Sequence, residues 1–207
     1  MTDANRPDVA LSHTNARGTM YYLCSVPGKT GKSRLVASRN LIGTPLQAMP
    51  AGYEFAENVN GVVSVRKVRA EVIRPDELET VRVTLAASKE RKPYRVAIER
   101  DEIVIYEPSV WPAGLEELAD EYPGGWLPDG FLQRMQQVAF AHATYSPLVR
   151  FVLTDADDRT FQVERRFFRG DGGWLPVRAS PVLAQAAQHA VQHLGPKGPK
   201  DTLFEWF

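Results

Sequence analysis

Residues 148–168, LVRFVLTDADDRTFQVERRFF, decide the fold class because they predict a complete β-hairpin. The runs 148–154 and 160–168 are rich in branched and aromatic residues, which favour strands, and the acidic run 155–158 between them is typical of a turn. Apolar and polar residues alternate along the second run, as they do in a strand with one buried face. The apolar set is Phe161, Val163 and Phe167, and the polar set is Gln162, Glu164 and Arg166.

Three further hairpins are predicted towards the N-terminus. The first joins residues 19–25 to 33–38 through a loop rich in glycine and lysine, and the second joins 53–58 to 62–68 around Asn60-Gly61. That dipeptide tolerates positive φ at both central turn positions. The third hairpin joins residues 94–98 to 103–106.

Helical signals are fewer. Pro75 opens a segment in which Leu78, Val81 and Leu85 have helical spacing, although Val81, Val83 and Leu85 also alternate as in a strand. Alanines 86 and 87 favour the helix. Further helices are predicted over residues 115–122, 131–143 and 181–194. The helix at 131–143 is supported by Asp129 as a cap and by a stripe of Phe131, Leu132, Met135, Val138, Ala139 and His142. The last helix is supported by Ser180 as a cap, Pro181 at its first position and Gly195 at its end, with a buried stripe of Leu183, Ala187, Ala190 and Leu194.

Grouped strands with few helices predict an α+β fold of mainly antiparallel sheets. Residues 1–13 are polar and aperiodic, which predicts a disordered tail. The strongest sequence signal for an internal boundary is the proline and glycine cluster at 123–130. Two subdomains are therefore predicted, over 14–125 and 126–207. The C-terminal residues 203–207, LFEWF, either cover the protein's own sheet or dock into a partner.

Composition excludes several classes of protein. The chain has 207 residues, of which 43% are hydrophobic, and 25 basic residues balance 25 acidic ones. The single cysteine, Cys24, excludes an internal disulfide and predicts a small buried side chain. The N-terminus resembles no signal peptide, and no apolar run is long enough to span a membrane, so we expect a cytoplasmic protein without a membrane partner.

Sequence motifs for catalysis or cofactor binding are incomplete. Residues 28–33, GKTGKS, end like a phosphate-binding loop, but Val26 stands where that loop requires its first glycine. His189 and His193 have the spacing of metal ligands on a helix, yet Ala190 replaces the glutamate of a metalloprotease. We therefore expect neither a metal nor another cofactor.

Charge distribution is more informative than any motif. Residues 1–74 carry a net charge of +5 and residues 75–130 a net charge of −7. The basic residues are interleaved with tyrosines, a combination that suits single-stranded or loop nucleic acid. The candidate partner-binding residues are Arg17, Tyr22, Lys29, Lys32, Arg34 and Arg39.

The leading hypothesis is a non-enzymatic binding or adaptor protein that contacts a protein or a nucleic acid through this basic hairpin region. A simpler alternative is that the positive segment balances the acidic middle of the chain. A third is a hydrolase whose site is assembled from residues distant in sequence, with His142 and an acid from 116–121.

The segments 14–18, TNARG, 21–23, YYL, 29–32, KTGK, and 50–54, PAGYE, form a pattern that resembles one in a set of bacterial proteins. A later segment, RFVL at 150–153, fits the same resemblance. It implies a cytoplasmic bacterial protein and implies no activity, cofactor or catalytic residue.

Overall fold

A computed structural model describes residues 10–29, 31–88, 93–109, 130–166, 173–180, 182–192 and 194. The side chains of Leu132 and Arg178 are also outside that description. The chain divides into two compact units, Met1–Ala70 (unit 1) and Glu71–Phe207 (unit 2). Both are built mainly from antiparallel strands, and unit 2 adds helices, which confirms the predicted α+β class.

Unit 1 is built around one central strand. The strands are β1 (Ser12–Thr14), β2 (Met20–Pro27), β3 (Ser33–Ser38), β4 (Thr44–Pro45), β5 (Tyr53–Glu57) and β6 (Val63–Lys67). β2 pairs with β3 along one edge and with β1 and β4 along the other, while β5 and β6 form a separate two-stranded sheet. Both predicted hairpins of this region are confirmed. The short strands β1 and β4 were not predicted, because two or three residues carry no periodicity.

The turn between β5 and β6 holds unit 1 together. Gly61 has φ +76°, and its carbonyl accepts hydrogen bonds from the Asn15 side-chain amide and, at 3.4 Å, from the Tyr21 hydroxyl. Among the described residues Gly61 adopts the positive φ that the Asn60-Gly61 dipeptide tolerates, and Asn60 does not share it. Instead, the Asn58 N–H closes a wider loop on the Val62 carbonyl at 3.1 Å, because the Asn58 side chain also accepts the Asn60 and Val62 N–H groups.

Unit 2 contains a five-stranded antiparallel meander. Its elements are α1 (Pro75–Ala86), β7 (Arg95–Glu99), β8 (Glu102–Pro108), α2 (Phe131–His142), β9 (Tyr145–Asp155), β10 (Thr160–Arg166), β11 (Trp174–Ser180) and α3 (Leu183–Gln192). The sheet order follows the chain from β7 to β11. Strand β11 was not predicted, because Pro176 interrupts its pattern; the ladder with β10 accommodates an irregularity at Val163/Glu164.

Helices α1 and α3 pack together and contribute to a single core with the sheet. Phe151, Phe161 and Ile103 from the sheet and Val81 from α1 are almost completely buried. Val83 of α1 is 58% exposed, so the helical spacing and not the strand-like alternation describes this segment. The predicted stripe of α3 is also confirmed, since Leu183, Ala187, Ala190 and Leu194 are all buried.

Helix α2 forms as predicted, but its apolar stripe does not become core. Met135 is 42% and Val138 55% exposed, and His142 is also exposed. The residue that precedes the helix is Gly130, in the left-handed region, and the proposed cap Asp129 lies outside the described residues. The spacing therefore predicted the helix and the residues that share each of its faces, but not whether either face packs against the rest of the protein.

The predicted boundary near residue 125 falls outside the described residues, as do the helix at 115–122 and the C-terminal segment 203–207. Strands β8 and β9 lie on either side of that boundary and pair with each other, from Glu102 opposite Val152 to Pro108 opposite Tyr145. The two compact units divide at Ala70/Glu71.

Candidate functional site

Three of the predicted contact residues lie around the loop that joins β2 to β3. Lys29, Lys32 and Arg34 are all exposed. The loop is tight, since the Gly28 N–H donates to the Lys32 carbonyl at 2.9 Å. A β-carbon on Gly28 would lie 2.7 Å from that carbonyl oxygen, so only glycine fits without a backbone shift. The sequence therefore builds a compact turn that presents cations to solvent.

Arg17 and Arg39 lie at the opposite end of the hairpin. The Arg39 Nε donates to the Tyr21 hydroxyl at 3.4 Å, and its guanidinium carbon lies 5.7 Å from the centre of the Tyr21 ring. Arg17 packs its aliphatic stem towards Gly61, whose β-carbon position would be 3.1 Å from Arg17 Cδ. Along β2 this end is about 20 Å from the Lys29 loop. The basic residues thus form two groups.

Tyr21 and Tyr22 point to opposite faces of β2 because side chains alternate along a strand. Tyr21 is buried, whereas Tyr22 is partly exposed and pairs with Ser38. Arg34 pairs with Val26, four residues from Tyr22, and therefore shares the Tyr22 face at a distance of about 13 Å. Arg39 contacts Tyr21, which lies on the other face of β2, so the side chains of Tyr22 and Arg39 do not form one surface.

The described carboxylates of unit 1, Glu54 and Glu57, are engaged by groups other than the hairpin cations. Glu54 pairs with Arg66 at 2.8 Å. Glu57 accepts the Ala16 N–H at 3.0 Å and lies 3.7 Å from the His13 imidazole, which stacks on Phe55. Within the part of the chain that the structure describes, Lys29, Lys32 and Arg34 make no ion pair.

Exposed apolar side chains, which the sequence did not predict, lie on β2 and in the connection between β3 and β4. Met20 is 47% exposed, Leu41 42% and Ile42 43%. Met20 shares the Tyr22 face of β2, and Leu41 is three residues from Ser38, so its Cα lies within about 11 Å of the Ser38 Cα. The apolar dipeptide Leu41-Ile42 within a polar connection was the sequence feature that could have indicated this surface, but two residues do not show which way their side chains face.

The charged residues of unit 2 are arranged differently. The Arg150 guanidinium lies 3.0 Å from Glu102 and 2.6 Å from Glu164, and it stacks 4.4 Å from the Trp174 ring centre. Burial raises the pKa of Glu102 despite the nearby Arg150. Burial, together with the hydrogen bond to Glu99, also raises the pKa of Tyr106. These groups satisfy one another across neighbouring strands, as structural ion pairs do.

Of the residues suggested for a hydrolase site, His142 is the one that the structure describes. His142 is exposed at the end of α2, and its suggested partners at 116–121 lie outside the described residues. Among the residues that are described, no three His, Cys, Asp or Glu side chains converge on a possible metal position. The acidic 155–158 turn is explained locally, since the Asp155 carboxylate accepts the Asp157 and Asp158 N–H groups at 2.9 Å.

Comparison with protein-family models, with curated proteins and with solved structures finds no match for this chain. Within the described residues, no helix combines the length and apolar character that crossing a bilayer requires. Function must therefore be argued from the residues and their geometry.

Proposed function

We propose that this chain is a non-enzymatic binding protein that holds an anionic macromolecule on the basic β2–β3 hairpin of unit 1. The observation that supports the proposal is that Lys29, Lys32 and Arg34 are exposed and make no ion pair among the described residues, while Glu54 and Glu57 are engaged by other groups. Unit 1 as a whole carries nine basic and four acidic residues. Like charges held close together repel, and an anionic ligand relieves that repulsion.

Salt concentration gives the first test. Binding of a labelled single-stranded DNA of about 20 nucleotides and of polyglutamate is measured between roughly 50 and 200 mM salt. Because ligand binding releases counterions, we expect affinity for an anionic ligand to fall steeply over this range. If neither probe binds at the lowest salt, the proposal is wrong.

A charge-reversed pair locates the surface. The double variant Lys29→Glu/Lys32→Glu is compared with Lys67→Glu/Arg69→Glu, which makes the same change in net charge on exposed residues elsewhere in unit 1. We expect the first variant to weaken binding about tenfold or more, and the second to weaken it by a much smaller factor. Equal losses from both variants would show that only net charge matters and would contradict a hairpin contact.

A further inference from the structure

We propose that the anionic ligand is a single-stranded nucleic acid whose bases stack on an apolar patch around Tyr22 while its phosphates contact the Lys29–Arg34 end of the hairpin. This inference rests on the proposed function and specifies its ligand. The apolar patch is defined by Met20, Tyr22, Leu41 and Ile42.

The course of the chain places these residues together. Cys24 and Ser25 of β2 each pair with β3 and with β4, so those strands occupy opposite edges of β2. Residues 39–43 connect them and must cross one face of β2. Tyr21, on one face, hydrogen-bonds to the β5–β6 turn, so we infer that the connection crosses the other face, over the fully buried Cys24. That is the face of Met20, Tyr22 and Arg34.

The exposed side chains distinguish this surface from a purely electrostatic one. Met20, Leu41 and Ile42 each leave more than two fifths of their surface in water, next to a partly exposed tyrosine. Bases of a single strand offer flat apolar faces that stack on aromatic and aliphatic groups. In a duplex the same faces are already stacked on one another, so the patch would gain nothing from it.

The cations and the apolar patch lie at different positions along the hairpin, and a nucleotide chain can contact the cations with its phosphates and the patch with its bases. Arg34 lies about 13 Å along the hairpin from Tyr22, and the loop with Lys29 and Lys32 lies about 20 Å from it, so a strand of several nucleotides reaches both. A nucleic acid carries a phosphate at every nucleotide, so it can contact the cations in any register that stacks a base on Tyr22. An acidic peptide needs acidic and apolar residues at a particular spacing to do the same.

The test compares chains that differ only in their bases. Fluorescence anisotropy measures binding of labelled thymidine and abasic oligonucleotides, both about 10 nucleotides long, and of a duplex of the same length. We expect the thymidine strand to bind about tenfold more tightly than the abasic strand and the duplex. Equal affinity for the abasic strand or the duplex overturns the inference while leaving the anionic-ligand proposal intact.

Substitutions test each part of the surface. Tyr22→Ala should weaken binding of the thymidine strand about tenfold without affecting the abasic strand, whereas Tyr22→Phe should retain binding. Leu41→Ser/Ile42→Ser should weaken it several-fold, and Val68→Ser, at a residue 56% exposed elsewhere in unit 1, should not. Arg34→Ala should reduce affinity more than Arg39→Ala, because Arg39 sits with Tyr21 on the other face.

The outcomes separate the two proposals. If Tyr22→Ala and Leu41→Ser/Ile42→Ser leave thymidine binding unchanged, or if polyglutamate binds more tightly than the thymidine strand, the single-strand assignment is wrong and the basic hairpin still stands. If no anionic probe binds at low salt, both proposals fail. Circular dichroism reports folding, and if Tyr22→Ala does not fold, the exposed double variant and the abasic comparison decide.

Discussion

The two units use their cations in opposite ways. In unit 2 two partly buried arginines pair with carboxylates: Arg159 with Glu77, and Arg150 with Glu102 and Glu164. In unit 1 the described carboxylates bond to other groups and leave the hairpin cations in solvent. An arginine between strands and helices stabilises a fold, whereas a lysine on an exposed turn contributes little to stability and is available to a ligand. The four predictions below test this difference.

The largest effect is expected at the ion pair between α1 and the β9–β10 turn. Arg159 hydrogen-bonds both Glu77 oxygens and the Val72 carbonyl, and it adopts φ +53° to do so. Because Arg159→Ala leaves the buried Glu77 carboxylate without its main partner, we expect a loss of about 2–3 kcal/mol in unfolding free energy. Chemical denaturation measures it, with exposed Arg82→Ala on α1 as the control. Equal losses from the two variants would contradict a structural role for the pair.

A smaller loss is expected when the cross-strand network is broken. Arg150→Ala leaves Glu102 and Glu164, on the strands that flank β9, without their shared cation and removes the stacking on Trp174. The side chains are about a fifth exposed, so solvent compensates part of the charge, and we expect about 1–2 kcal/mol. The measurement is again chemical denaturation, and adding Glu102→Gln to Arg150→Ala should recover part of the loss. A further loss in the double variant would show that repulsion between the carboxylates is unimportant.

Acid should weaken the contact between Glu77 and Arg159. Burial alone raises the pKa of Glu77, but hydrogen bonds from Arg159 and the Arg74 N–H outweigh it and hold the pKa below the usual value of 4.5. The charged carboxylate therefore stabilises the fold above pH 4.5, and that contribution is lost as the pH falls through the lowered pKa. Thermal melting between pH 7 and about pH 3 should show a smaller acid-induced drop for Glu77→Gln than for the native chain. An identical drop would assign the acid sensitivity to other groups.

The smallest effect is expected in unit 1. Lys29→Ala, Lys32→Ala and Arg34→Ala remove exposed side chains that make no ion pair among the described residues, so each should change the unfolding free energy by less than about 0.5 kcal/mol. The same variants should weaken binding of an anionic probe. A loss of stability comparable to that of Arg159→Ala would mean that these cations serve the fold, and the contrast between the units would disappear.

Local pattern was sufficient for most of the elements. The strand β3 (Ser33–Ser38) and the start of α1 at Pro75 lie where alternation, spacing and capping predicted them. Short strands such as β4 escaped prediction because two residues have no period, and β11 because Pro176 masks its pattern. The partner-binding residues were predicted as one region, and in the structure Tyr22 and Arg39 lie on different faces of the hairpin.

The amino-acid sequence alone determined the four predicted hairpins, the helices α1, α2 and α3 and the antiparallel α+β class, because turns and side-chain periodicity act over a few residues. Tertiary structure decided which faces are buried and which charges are paired. The stripe of α2 has the period of a core face, yet Met135 and Val138 are exposed, and Glu77 meets an arginine 82 positions away. Periodicity tells which side chains share a face, but burial and ion pairing depend on what the rest of the chain brings against that face.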